Sequence, residues 1–289
     1  MRLWVEIVMS GLITGGIYAL VAMGLNLQYG LMRILNVSHG EFLMLGAYLV
    51  YWAHLVTHLS PFLFLPPLLV AMFFVGLGIH RVCFRRLAET TPEVEAFEAR
   101  SLLVGFGLMF VVQNVALLVW GADLRGYEYL SRTVSVAGVG FTANRLVAFA
   151  GAILLGVALI IVLRATLLGR AVRAMMQSPT GALLVGIDVR RLHPAVFGVG
   201  LALAGAAGAL LSMVFEISPS MGEPYTITAL IVITLGGFGS MSGALAGGLL
   251  LGVIEALGMH FTNPSLKSLL SYSIFIAVLL WRPNGLFKR

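Results

Sequence analysis

Apolar stretches of bilayer-spanning length follow one another from Leu3 to Trp281, separated by short clusters of polar residues, glycine and proline. A helix needs roughly 20 apolar residues to cross about 30 Å of hydrocarbon. Stretches of that kind occupy residues 4–27, 40–58, 61–80, 101–120, 144–163, 194–215, 243–259 and 266–281, with a shorter one at 225–235. The pattern predicts an all-α, polytopic membrane protein, a single transmembrane domain over residues 1–289 with about eight or nine transmembrane helices. Nine full crossings put the two ends on opposite sides, whereas a re-entrant 225–235 or a break within one crossing near Asn36 changes the count. The first stretch runs on past Leu27 without a small-residue cleavage pattern, so it reads as a retained span.

Composition leaves no room for a separate soluble domain: 60% of residues are hydrophobic and 10% charged, with a mean hydropathy of +1.00. The single cysteine, Cys83, excludes an internal disulfide and a thiolate metal cluster. Charge adds orientation, because Lys and Arg beside spans are retained on the cytoplasmic side. Thirteen basic residues, Arg33, Arg81, Arg100 and those of the 164–191 insert and the C-terminus among them, fall on one side; Arg2, Arg125, Arg132, Arg145 and Lys267 fall on the other. The insert and the C-terminus are therefore expected in the cytoplasm and the N-terminus outside. The net charge of +6 is then an orientation signal, and no nucleic-acid partner is expected.

The basic insert, a cytoplasmic loop at about 164–193, has the marks of a short capped helix. Ser178 before Pro179 is a helix start, with a hydroxyl able to accept from free backbone N–H groups and a proline whose missing N–H costs nothing at the first helical position. Gly186 supplies the stop, and residues 180–185 form about two turns. Arg170 and Arg173 flank them on one side, Asp188, Arg190 and Arg191 on the other.

Polar residues elsewhere are few. Asn36, Ser38, His39, Gly40 and Glu41 lie between two apolar stretches, and polar groups at membrane depth are costly unless they face protein or water. They mark a helix break that either borders a translocation path or forms an interfacial loop capping the next helix, with His39 read as a structural hydrogen-bonding residue. Gly236, Gly237, Gly239 and Gly243 do not form Gly-x-Gly-x-x-Gly after a buried strand, and no Walker motif occurs, so the chain is not expected to bind a nucleotide itself. The pairs Gly243 and Gly247, and Gly248 and Gly252, recur at helix-face spacing that lets backbones approach closely; a gating hinge at Gly236, Gly237 and Gly239 is the alternative. Glu255 late in a span and Glu216 just after one read as interfacial, a contact with a substrate amine being the second reading. His54 and His58 share a helix face without a third ligand, so no metal site is expected.

Gly169-Arg170-Ala171-Val172-Arg173-Ala174, then Ala182 followed by Gly186-Ile187, resembles the cytoplasmic coupling loop of ATP-binding-cassette importer permeases. It resembles most the branched-chain amino acid permease family, and there the smaller of the two membrane subunits. The general motif begins Glu-Ala-Ala-x-x-x-Gly; Thr180 and Gly181 stand where its Glu and first Ala would be. Residues 11–20 resemble the family's first span, and residues 35–48 its Asn-Phe-Ala-His-Gly signature, with Val37 and Ser38 as departures. Residues 236–244 and the ending 282–287 also match.

The resemblance implies a permease in the bacterial inner membrane that passes branched-chain or other neutral amino acids inward and has no chemistry or cofactor of its own. It implies a second permease subunit, two cytoplasmic ATPase subunits that bind the ATP, an external solute-binding protein and surrounding lipid as partners. Arg170, Arg173, Ala174, Thr180, Ala182, Gly186 and Ile187 would then meet the ATPase, and residues 36–41 and 236–239 would border the path. Closely similar permeases carry urea or short amides. A self-sufficient secondary transporter would instead need buried carboxylates in mid-span, and an intramembrane enzyme a nucleophile with a base or a metal cluster; the sequence displays neither constellation.

Overall fold

The first apolar stretch folds into one helix of 31 residues, α1 (Arg2–Met32). Its apolar residues fall on every face, as suits an enclosed helix, and every residue from Gly15 to Tyr29 is buried. The computed structural model describes residues 2–91, 93–261, 263, 266–282 and 285–286. Pro283, Asn284 and Phe287 of the ending motif, and Lys288 and Arg289 of the charge pattern, lie outside the described residues.

After α1 come α2 (His39–Thr57) and a continuous rod over Pro61–Thr90 that contains α3 (Leu65–Ile79), a π turn at His80–Phe84 and α4 (Arg85–Thr90). Then follow α5 (Val94–Trp120), α6 (Ala143–Ala165), the short α7 (Leu167–Gln177) and α8 (Pro179–Leu184), α9 (Val189–Ser212), α10 (Gly222–Gly236), α11 (Met241–Phe261) and α12 (Lys267–Trp281). The loop between α5 and α6 forms one antiparallel hairpin, β1 (Thr133–Val136) with β2 (Val139–Thr142), paired Thr133 to Thr142 and Val136 to Val139. The all-α expectation missed it. Its turn residues Ala137 and Gly138 both take positive φ, the geometry that suits the twist of a two-residue hairpin.

Six of these helices are long and apolar enough to cross a bilayer: Arg2–Met32, Pro61–Thr90, Val94–Trp120, Ala143–Ala165, Val189–Ser212 and Met241–Phe261. That is fewer than the eight or nine expected. The shortfall has a physical cause. α10 and α12 have 15 residues each, and 15 residues rise only about 22 Å against roughly 30 Å of hydrocarbon. α2 begins inside the bundle, on buried His39 and Glu41.

Burial sorts the helices into a core and a shell. The most apolar windows of α1 and α9 are 72% and 89% buried, whereas those of the Pro61–Thr90 rod, α5 and α6 are 17%, 17% and 22% buried. The outer helices turn Phe74, Leu103, Phe110, Leu118 and Leu154 outward, an exterior that belongs in lipid, where apolar side chains lose nothing by exposure. Small residues bring the central helices together. A Cβ built on Gly252 would lie 2.3 Å from the Gly11 carbonyl, and one on Gly248 2.5 Å from Ala19 Cα, so this glycine pair seats α11 against α1 at backbone contact, while Gly243 and Gly247 face α10.

Candidate functional site

The break after α1 is a tight reversal that re-enters the bundle. Arg33 takes a left-handed φ of 56°, and its N–H donates to the Tyr29 carbonyl at 2.8 Å. The returning strand is stitched to α1 and α9: Asn36 Nδ2 donates to Gln28 Oε1 at 3.2 Å, Gln28 Nε2 donates to the Phe197 carbonyl at 3.1 Å, and Ser38 Oγ donates to Asn36 Oδ1 at 2.6 Å. His39 Nε2 lies 3.1 Å from the Val21 carbonyl, and because that oxygen can only accept, the proton sits on Nε2. Asn36, Ser38 and His39 are fully buried and Glu41 is 1% exposed. The sequence left an interfacial loop open for this segment; its burial puts it inside the protein. His39 Nδ1 and both Glu41 oxygens are buried and have no hydrogen-bond partner among the described residues.

This break meets a second one. The Gly40 N–H donates to Thr226 Oγ1 at 2.8 Å. A Cβ on Gly40 would lie 1.9 Å from the Gly222 carbonyl, and one on Gly222 2.6 Å from the Gly40 carbonyl. The contact is reciprocal, and so is that of Gly24 with Gly200, at 2.7 and 2.8 Å. The sequence repeats in step: Ser38-His39-Gly40-Glu41 opens α2, and Ser220-Met221-Gly222-Glu223 opens α10. Gly24 and Gln28 of α1 meet Gly200 and Phe197 of α9, so the two preceding helices run antiparallel. The chain thus carries an internal repeat with inverted direction, α1–α2 against α9–α10, of the kind that in transporters brings two broken helices to one point. Reading the sequence overlooked this repeat, although the Ser-x-Gly-Glu quartets displayed it.

Gly236, Gly237 and Gly239 form the turn from α10 to α11. Gly237 and Gly239 take φ of 91° and 81°, values that L side chains rarely adopt. The turn is clamped by α1: Asn26 Oδ1 accepts from the Gly239 N–H at 2.7 Å, and Asn26 Nδ2 donates to the Ser240 carbonyl at 2.9 Å. Asn26 and Gln28, which hold the turn and the re-entrant strand, were not singled out in the sequence. Two amides inside an otherwise apolar span were the available signal.

The 164–193 insert is capped at three points. Thr166 Oγ1 accepts from the Gly169 N–H, Ser178 Oγ from the Gly181 N–H at 3.1 Å, and Asp188 Oδ1 from the N–H groups of Arg190 and Arg191. α8 is six residues long and ends where Gly186 takes φ 83° and the Ile187 N–H reaches back to the Ala182 carbonyl at 3.0 Å, a left-handed glycine cap. Ala182 is buried, Ala174 and Ile187 are half-buried, and Arg170, Arg173 and Thr180 are exposed. Leu183, Leu184 and Val185 are 57%, 84% and 76% exposed and form an apolar tip.

Insert and glycine turn come together. Met176 of α7 sets its methyl group against Gly30 and Gly239, and the Arg173 guanidinium donates to the Leu163 carbonyl. A cavity of about 510 Å³ is lined by Tyr29, Arg33, Arg173, Met176, Phe238 and Gly239. The re-entrant segment 36–41 stands apart from this cavity, joined to it through α1. His54 instead bonds the Leu59 carbonyl, and among the described residues no group of three potential ligands could hold a metal ion. Glu255 corrects the sequence reading. It is 2% exposed, not interfacial, and accepts from Tyr18 Oη at 2.9 Å and from Ser271 Oγ, because α1 and α12 close over that end of α11.

Residues 7–279 match the family described as branched-chain amino acid transport system / permease component. The chain is 29% identical to the high-affinity branched-chain amino acid transport system permease protein BraD of Pseudomonas aeruginosa, over 99% of this chain and 96% of that protein. It is 30% identical to LivH of Escherichia coli K12, over 97% and 94% of the two chains, and 26% identical to LivM of the same organism, over 93% and 67%. No solved structure matches. A match over nearly the whole length, on a helical bundle built to lie in lipid, places this chain in the family of branched-chain amino acid transport permeases.

Proposed function

We propose that this chain is one membrane subunit of an ATP-binding-cassette importer, translocating branched-chain or other neutral amino acids into the cell under the drive of separate ATPase subunits. The observation that carries this reading is the docking of α7 on the Gly237–Ser240 turn and the end of α1, with the apolar tip of α8 left exposed beside exposed arginines. An ATPase pair binding that tip would push on the turn through Met176 and Arg173. The chain then forms one transmembrane domain over residues 1–289 in the bacterial inner membrane. α2, α10 and α12 act as partial or re-entrant crossings, and a second permease subunit supplies the other half of the path. ATP stays on the ATPases, and an external binding protein delivers the solute.

The test is co-purification with the neighbouring gene products, followed by solute-stimulated ATP hydrolysis in lipid vesicles. Stimulation by leucine, isoleucine or valine that disappears in an Arg173→Glu, Ala182→Pro double variant is the expected result. Fully coupled hydrolysis in that variant would remove the role assigned to the insert, and stimulation by urea or a short amide alone would keep the mechanism and change the solute. The buried carboxylates Glu41 and Glu255 favour one other reading, an ion-coupled secondary transporter. Uptake driven by an imposed ion gradient without ATP would establish that reading instead.

A further inference from the structure

Arg164, Arg170 and Arg173 crowd the corner where α6 passes into α7. All three are exposed, and none of them has an ion pair among the described residues, where the pairs are Arg33–Glu98, Arg85–Glu89 and Arg191–Asp188. Two of the three share a cavity of about 160 Å³ between α6, α7 and the start of α11. Its wall includes Ile160, Leu163, Arg164, Arg173, Ser240 and Ser242 and holds no acidic residue. Neighbouring cations without a counter-ion repel each other, and an anion held by both removes that cost.

The donors around the cavity define the anion. Arg173 donates to the Leu163 carbonyl, which leaves further N–H groups of its five for another acceptor. Ser240 Oγ accepts from the Gly243 N–H at 3.0 Å, so its own proton is free to be donated, and Ser242 is exposed. α11 starts here, and the first N–H groups of a helix have no intrahelical acceptor and carry its positive end. Guanidiniums, hydroxyls and a helix start together suit a phosphate, which accepts from several directions at once.

The surroundings identify what carries the phosphate. α6 is an outer helix, with Leu154, Ile161 and Val162 70%, 58% and 49% exposed, and just past Arg164 both Leu167 and Leu168 are exposed, at 75% and 71%. Leucines that enter acyl chains beside arginines that reach phosphates are the mark of a helix lying at a membrane surface. The cavity is well below the roughly 300–1,000 Å³ of sites that enclose a whole small molecule. It has room for a headgroup whose chains stay outside along α6. Basic pockets between membrane helices hold anionic lipid headgroups in this way.

We infer that the corner of α6 and α7 binds the headgroup of an anionic phospholipid, with Arg164 and Arg173 on its phosphate and its chains against the outer side of α6. A carboxylate of a docking protein would use the arginines without the apolar flank, and free phosphate would have no use for Leu167 and Leu168. The site is independent of which solute the protein carries.

Native mass spectrometry of the purified complex in detergent, titrated with dioleoylphosphatidylglycerol or dioleoylphosphatidylcholine, tests this. At equal concentration the first lipid should be retained preferentially. Arg164→Gln should weaken its retention about fivefold, the contribution of one arginine near an anionic bilayer surface, and Arg164→Lys should restore most of it. Ser242→Glu sets a repelling carboxylate in the cavity while suiting the first turn of α11, so it should abolish the preference in a protein that still folds. Arg190→Gln removes the same charge from an exposed position outside the cavity and should change nothing. Equal retention of the two lipids, or an undiminished preference in both Arg164→Gln and Ser242→Glu, overturns the inference. So does displacement of the lipid by inorganic phosphate, which would make this a site for the free anion. Loss of ATPase subunits from Arg164→Gln with lipid retention intact overturns it too, by giving the arginine to a protein partner.

Discussion

Gly40→Ala is the smallest change that tests the contact between the two broken helices. The added Cβ would lie 1.9 Å from the Gly222 carbonyl oxygen, and such contacts essentially never fall below 3.0 Å, so α2 and α10 must part by about 1.1 Å. The obstacle is backbone, and no rotamer can relieve it. Parting by that distance takes the bond from the Gly40 N–H to Thr226 Oγ1, 2.8 Å long, out of hydrogen-bond range. Overpacking of this kind costs about 1–3 kcal/mol, and a lost buried hydrogen bond about 1 kcal/mol more. The sum, about 2–4 kcal/mol, corresponds to a fall of roughly 3–7 °C in the unfolding midpoint of a chain this size.

Cys83, the single cysteine of this chain and partly buried, makes the assay simple, because a thiol-reactive dye reports unfolding of the purified chain on heating. Gly107→Ala is the control. A Cβ there meets nothing within 4 Å, and replacing a glycine within a helix gains up to about 1 kcal/mol, so its midpoint should hold or rise. Leucine uptake should fall with Gly40→Ala and persist with Gly107→Ala. Equal midpoints and equal uptake for the two variants would refute the reasoning, since one methyl group would then cost the same at backbone contact as in open space.

Asn26→Leu leaves the Gly239 N–H without its acceptor at a cost of about 1–3 kcal/mol; stimulated ATP hydrolysis should continue while uptake per ATP falls, as measured in vesicles. Ser178→Ala removes the α8 cap, worth about 1 kcal/mol, and should weaken ATPase co-purification modestly without changing the midpoint of the membrane part. Gly252→Val drives a branched side chain into Gly11 and Gly15 at backbone contact and should abolish recovery of a monodisperse complex in size-exclusion chromatography, which Gly107→Val should not.

What the sequence made legible was local. Nine apolar stretches all contain helices, and the caps at Ser178 and Gly186 stand where hydroxyl, proline and glycine placed them, because capping depends on neighbours within four residues. Helix length in space was less legible. The 40–58 and 225–235 stretches look like spans or near-spans by hydropathy, yet α2 and α10 begin inside the bundle, and the depth at which a helix starts depends on the packing of Gly40 on Gly222 across 182 positions. Glu255 was misread for the same reason. A residue late in a helix is near water only if nothing covers that end, and α12 covers it through Ser271. The outer hairpin was missed because four-residue strands carry too little alternation to stand out beside membrane helices.

On the importer reading, α1 explains how a force at the cytoplasmic face would reach the middle of the bundle. Its residues Asn26 and Gln28 are two apart, about 200° around the helix, and so hold different neighbours: Asn26 the Gly237–Ser240 turn, Gln28 the re-entrant strand at Asn36 together with the Phe197 carbonyl of α9. Met176 of α7 rests on that turn and on Gly30 of α1. Beyond the Met176 side chain that makes the first contact, the steps along this line are hydrogen bonds of the buried amides Asn26, Gln28 and Asn36 and the backbone contact of Gly40 with Gly222. Packed interfaces of that kind switch between discrete arrangements instead of deforming smoothly. A shift of α7 would therefore be passed to the contact of Gly40 with Gly222, where neither residue has a side chain to yield, and the two broken helices would separate there or not move at all.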